Sequence, residues 1–135
     1  MRLEITRRSD LATRALVELA RLGRRTKSAE LAEAIGTTPG FLSQAMTPLA
    51  ARGWVQSEPG PSGGYLLTAD LDEVSVLDVI EAIEGPSEGG RCVLEDRVCG
   101  DSAPCALHQP WTRARTQLLD ELSNSPLASL AQAPR

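Results

Sequence analysis

Apolar residues recur at helical spacing through the first fifty positions. Ala12, Ala15, Leu16 and Leu19 fall at i, i+3, i+4 and i+7, which places them on one face of a helix. Ser9 or Asp10 can cap its start, and Gly23 follows its end. Ser28 caps a second short helix, 29–35, which turns Leu31 and Ile35 inward and closes at Gly36. Thr38 caps a third, with Pro39 at the first position, where the missing N–H costs nothing. The inner face of this helix is Leu42, Ala45, Met46 and Leu49; Gly53 ends it, and Pro48 is expected to kink or shorten its last turn. The period then changes. Residues 54–57 and 65–68 are strand-like runs on either side of a Gly/Pro-rich tip, which predicts a β-hairpin. Helical spacing returns at Ser75, with Asp78 as a capping-box partner and Val76, Val79, Ile80 and Ile83 inward. Residues 85–90 read as a flexible linker, and 91 to about 107 as a loop. Pro110 opens a last long helix with Trp111, Ala114, Leu118 and Leu122 on one stripe, and a tail helix begins near Pro126.

Two short helices joined by the tight Gly36-Thr37-Thr38 turn and followed by a hairpin describe a winged helix-turn-helix. The fold class expected is therefore mainly α, with a small β-hairpin wing. The major groove of DNA admits one helix, and a hairpin tip can reach the neighbouring backbone or minor groove. The helix from Thr38 would be the reader, through its outward Thr38, Gly40, Ser43, Gln44 and Thr47. Of these, Gln44 has the side chain for bidentate contact with adenine. The plainer reading of the same pattern is a helical bundle with one exposed polar helix.

Charge separates the two. The 135 residues carry a net charge of −4, which by itself argues against nucleic acid. Residues 1–55, however, hold nine basic side chains against five acidic, and the remainder five against thirteen. A basic half faces something anionic; Arg7, Arg8, Arg14, Arg24, Arg25 and Lys27 are placed for phosphates, although a solvated surface charge is the plain reading of any one of them. Aromatics are only 3%, against a stacking platform for single strands. No run approaches the roughly 18 apolar residues of a membrane span, and the opening Met1-Arg2-Leu3-Glu4 has no apolar core of a signal peptide, so a cytoplasmic protein is expected.

Cys92, Cys99, Cys105 and the only histidine, His108, form a C-x6-C-x5-C-x2-H series. Clustered thiols in a reducing compartment favour metal ligation over structural disulfides. Structural zinc sites pair their cysteines at shorter spacing than this. Long gaps with Gly100 and Pro104 between them allow the chain to wrap a larger object such as an iron–sulfur cluster, and an imidazole can replace a thiolate on iron. Zinc and a disulfide-forming redox switch stay open beside it. A Cys–His nucleophile lacks an orienting group and an oxyanion hole, so no enzyme and no small-molecule substrate are expected.

Taken together, Met1-Arg2-Leu3, the run Gly60-Pro61-Ser62-Gly63-Gly64-Tyr65-Leu66-Leu67, and Arg91-Cys92 through Cys99, Cys105, His108 and Trp111 resemble the Rrf-two family of bacterial winged-helix transcriptional regulators, with its IscR-like and NsrR-like iron–sulfur sensors. The resemblance covers nearly the whole chain. It implies a homodimer joined through the long C-terminal helix and bound to double-stranded DNA at a palindromic promoter site. It also implies three regions: a DNA-binding winged helix-turn-helix over 1–84, a cluster-binding loop over 85–107, and a dimerisation helix with tail over 108–135. In IscR-like members three Cys and one His hold a two-iron cluster, matching Cys92, Cys99, Cys105 and His108. In NsrR-like members an Asp of the other subunit's first helix is the fourth ligand to a four-iron cluster, matching Asp10, whose plain reading is a helix cap. The sequence departs from the family where a wing arginine is usual: Pro59 stands there, beside Glu58.

The expected function is thus an iron–sulfur-dependent repressor sensing redox stress, nitric oxide or cluster status, with a two-iron cluster favoured over a four-iron one. Gln44 and Ser43 would read bases, with Thr38, Gly40 and Thr47 beside them on the DNA-binding face, while Arg2, Arg7, Arg8 and the wing backbone at Gly63 and Gly64 would position the phosphates. The competing readings are a thiol-switch or zinc regulator without a cluster, and a dimeric cluster-binding module that no longer binds DNA.

Overall fold

The structure, a computed structural model, describes residues 1, 3–87, 90–100 and 102–132. The first three helices are α1 (Arg7–Leu22), α2 (Ser28–Ile35) and α3 (Pro39–Ala51). The hairpin follows as β1 (Val55–Glu58) and β2 (Gly64–Leu67), then α4 (Val76–Glu84), α5 (His108–Ser123) and α6 (Leu127–Gln132). Mainly helical with one small antiparallel hairpin, this is the expected winged helix.

α1 starts earlier than its polar residues suggest. Thr6 is the cap: its Oγ1 accepts the Ser9 N–H at 3.2 Å. Ser9 is not available for that role, because it faces inward and donates its hydroxyl to Glu84 Oε2 at 2.5 Å. Asp10 sits in the first turn, where a carboxylate meets the positive end of the helix. α2 likewise includes Ser28, and the cap position falls on Lys27, which makes no side-chain capping bond. α3 begins as expected, with Thr38 Oγ1 accepting the Phe41 N–H at 3.3 Å and Pro39 in the first turn. Pro48 does not end it. The helix continues to Ala51, since a proline there removes a single bond, to the Gln44 carbonyl, while Leu49 stays wholly buried.

The wing pairs Val55 with Leu67 through Glu58 with Gly64. A contact distant in sequence fixes it to the helices. Thr26, between α1 and α2, exchanges both backbone hydrogen bonds with Tyr65, at 2.8 and 2.9 Å. The approach is close enough that a Cβ on Gly64, whose φ is +122°, would overlap the Thr26 carbonyl. A Cβ on Gly63 would overlap the Glu58 carbonyl across the turn.

α4 carries the expected capping box. Ser75 Oγ accepts the Asp78 N–H at 3.0 Å, and Asp78 Oδ2 accepts the Ser75 N–H at 2.9 Å. Ser75→Ala removes one of these bonds and is expected to lower stability by about 1 kcal/mol. That corresponds to a fall of about 3 °C in the thermal midpoint; an unchanged midpoint would show the box to be dispensable.

One core unites these elements. Leu16, Leu19, Leu31, Leu42, Met46, Leu49, Val79 and Leu127 are wholly enclosed. Leu127 belongs to the tail helix, which packs on α1. It is held there by Leu127 N–H to the Val74 carbonyl and Val76 N–H to the Ser125 carbonyl, both 2.9 Å. α5 differs from every other long helix: it lies against α4 and buries none of its residues. It begins at His108, two residues before the expected Pro110, because a proline in the first turn forgoes only an N–H that has no partner inside the helix. Among the described residues, no helix is long and apolar enough to cross a membrane.

Candidate functional site

The three cysteines come from a loop that folds back on itself. Arg91 and Val98 bridge as a short antiparallel pair; Cys92 donates its N–H to the Arg97 carbonyl at 2.9 Å and Cys99 to the Gly90 carbonyl at 2.5 Å. Ion pairs Arg91–Asp96 and Arg97–Glu95 close the exposed side, and Arg97 also donates to the Ala103 carbonyl at 2.9 Å. Cys105 follows at the mouth of α5, and His108 is the first residue of that helix. The Sγ atoms of Cys92, Cys99 and Cys105 all lie within 4.8 Å of one another. His108 Nδ1 is 3.3 Å from Cys99 Sγ. All four line one cavity of about 330 Å³ with Trp111, Thr112 and Arg115.

Backbone amides already treat two of these sulfurs as acceptors: Leu94 N–H points at Cys92 Sγ and Cys105 N–H at Cys99 Sγ, each at 3.4 Å. The Leu94 amide holds the Cys92 thiol below the ordinary cysteine range. Burial, with Cys92 alongside, pushes Cys105 above it. The sulfur separations, at most 4.8 Å, are no more than about twice a metal–thiolate bond of about 2.3 Å. The set is soft, half-enclosed and compact, so it fits a thiophilic metal: iron in a cluster, zinc or copper(I).

Asp10 is not part of this group within one chain. It lies at the start of α1, paired with Arg14 at 3.5 Å.

On the second surface, Thr38, Gly40, Ser43, Gln44 and Thr47 are all exposed along α3, as the pattern predicts. Thr47 spends its hydroxyl on the Ser43 carbonyl at 2.9 Å. Phe41 shares the exposed side and was not marked by polarity; its signal is an apolar side chain out of phase with Leu42, Ala45, Met46 and Leu49. The basic residues are partly occupied inside the fold. Arg8 donates to the Ile83 carbonyl at 3.2 Å and so closes the end of α4, and Arg14 donates to the Ile35 carbonyl at 3.1 Å. Arg24 pairs with Glu30 at 2.5 Å, and Arg25 with Glu58 of the wing at 3.4 Å. Arg7 is exposed. Arg2 lies outside the described residues. Gly63 and Gly64 have a packing reason of their own, given above, whatever the wing touches.

Comparison with known proteins agrees with this architecture. Residues 5–133 match the Rrf2 family, described as iron-dependent transcriptional regulators. The HTH-type transcriptional regulator IscR of Serratia proteamaculans is 32% identical over 102 residues, covering 76% of this chain and 62% of that one. CymR, the global cysteine regulator of B. subtilis, superposes with a TM-score of 0.79 at 27% identity, covering 99% of this chain and all of that one. IscR of T. potens, 21% identical, shares the fold with a TM-score of 0.71 over 98% of this chain and 93% of its own. With a winged helix, an exposed uncharged face on α3 and a match over nearly its whole length, the chain belongs to the Rrf2 family of transcriptional regulators.

Proposed function

We propose that this regulator is an iron–sulfur sensor whose cluster is held by Cys92, Cys99, Cys105 and His108, and that it acts as a homodimeric repressor at a palindromic promoter site in the cytoplasm. The observation that carries the reading is the gathering of three thiols and the only imidazole into one cavity at the root of α5. When bound, the cluster would supply a redox-active and oxidant-labile centre. The chain's own residues do the rest. Cys99, the most enclosed of the three thiols, is bound to Gly90 on one side and touched by His108 on the other. The Leu94 amide favours the ligating, ionised form of Cys92. His108 joins the loop directly to the first turn of α5, so a change in sulfur ligation alters where that helix begins.

Dimerisation draws support from α5 itself. A 16-residue helix that buries nothing leaves Leu118 46% exposed beside Trp111, Leu119, Met1 and Leu3, a surface suited to a second copy. Leu118→Glu is expected to weaken the dimer at least about tenfold, read by sedimentation at micromolar protein; a variant that stays fully dimeric would place the interface elsewhere.

The cluster is tested by anaerobic purification with iron and acid-labile sulfide counts and a visible spectrum. About two of each per chain supports the four-residue set with His108. About four of each moves the fourth ligand to the partner subunit's Asp10. Absence of both, with zinc or reversible disulfides found instead, overturns the cluster and leaves the second reading, a metal or thiol switch, which the close approach of the three sulfurs favours.

A further inference from the structure

On the reading helix, α3, no residue between Pro39 and Ala51 carries a charge. Recognition of guanine in the major groove relies on Arg or Lys at O6 and N7, and recognition of cytosine on a carboxylate at N4. The exposed side of α3 offers neither. It offers Gln44, whose amide matches adenine N6 and N7, and Phe41. Phe41 is the only phenylalanine in the chain and is 61% exposed, while its neighbour Leu42 is wholly buried. Nothing in the core accounts for it: its side chain lies outside the enclosed cluster, and only its backbone N–H serves the cap at Thr38. Phe41 and Gln44 are separated by three residues, hence neighbours on the helix surface, with a rise of about 4.5 Å between them. Two neighbouring side chains on the face of a helix that enters the major groove can reach the same base pair or adjacent ones.

We propose that Phe41 is a specificity-determining residue that packs on the C5-methyl group of a thymine in the major groove, next to or paired with the adenine read by Gln44. The proposal rests on α3 being the DNA-reading helix, as in the function proposed above. Thymine is the one base that presents a methyl group to that groove, so an apolar side chain there discriminates by burying it. Without any charged partner on α3, the preference at that step is for A·T over G·C.

The test starts from random double-stranded DNA, from which the full-length protein selects a preferred site. In that site each thymine is replaced singly by deoxyuridine, which removes the methyl and nothing else, and affinity is read by fluorescence anisotropy. One replacement per half-site should weaken the protein about fourfold, the effect of one methylene-sized apolar contact. The Phe41→Ala variant, altered only at an exposed position, should bind the thymine and deoxyuridine sites equally. The assignment is overturned if no single replacement weakens the unaltered protein, or if Phe41→Ala retains the same discrimination. Failure to enrich any site would instead remove the DNA-binding function on which the proposal stands.

Discussion

Cys99→Ala protein should leave anaerobic purification colourless, with iron and acid-labile sulfide below about a tenth of the unaltered chain, since loss of one thiolate opens the site to solvent and exchange. Cys99 is chosen because it is the hinge of the arrangement. It is the least exposed of the three cysteines at 8%, it accepts the Cys105 N–H at 3.4 Å, and it stands 3.3 Å from His108. It is also absent from the enclosed core that joins α1 to α4 and α6. The unfolding midpoint of the winged helix should therefore stay within about 2 °C, a surface-sized effect, while the visible bands vanish. His108→Ala should be milder, altering the bands and the lifetime of the cluster but not preventing its assembly. A Cys99→Ala protein with full iron and sulfide would show that the sulfurs meet for another reason.

The second large effect is on stability, and it comes from a residue with no side chain. Gly64→Ala is expected to destabilise the fold by about 3 kcal/mol, combining left-handed backbone strain with overlap against a carbonyl that cannot move freely. The midpoint should fall by about 10 °C in a thermal melt. The strain is local, but it falls where β2 meets Thr26, so the wing and the start of α2 loosen together. A melt within about 2 °C of the unaltered protein would mean that the wing swings freely and that the Thr26–Tyr65 pairing contributes little.

Both predictions depend on features of different legibility. The helices of the head were readable because their apolar residues repeat at a single period and each starts near a residue able to cap it; Thr38 with Pro39, and Ser75 with Asp78, behave as their types suggest. The start of α1 was not. Thr6, Ser9 and Asp10 are all capable caps, and what decides among them is Glu84, seventy-five residues away, which takes the Ser9 hydroxyl inward. The bridge from Thr26 to Tyr65 is of the same kind: no local pattern announces a pairing between a loop and a strand nearly forty positions apart. Cys92, Cys99, Cys105 and His108 are legible as a set from their close spacing and from the family resemblance, and the fold brings their donor atoms together. Phe41 is not legible from polarity, because its apolar side chain betrays its exposure only by lying out of phase with Leu42, Ala45, Met46 and Leu49. The prolines at 48 and 110 are weaker punctuation than their type suggests: Pro48 removes a single helical bond, and Pro110 sits in a first turn where its missing N–H has no helical partner.

The path of the chain around α4 has a mechanical consequence. The polypeptide leaves that helix at Glu84, runs through the sulfur loop and the whole of α5, and comes back to the opposite end, where Ser125 bonds to Val76. Residues 85–124 are thus a handle fastened at both ends of a rod about 13 Å long. One fastening is reinforced by Arg8 and Ser9 of α1, which grip Ile83 and Glu84. A handle secured at one point can only pull; one secured at two can turn the rod about an axis across it. Because α4 rests on both α1 and α3, such a turn would tilt α3 and, in the homodimer proposed above, change its angle to the second copy. Small displacements among four donor atoms would then appear as a change of angle between two distant surfaces, with the rod's length setting the gearing.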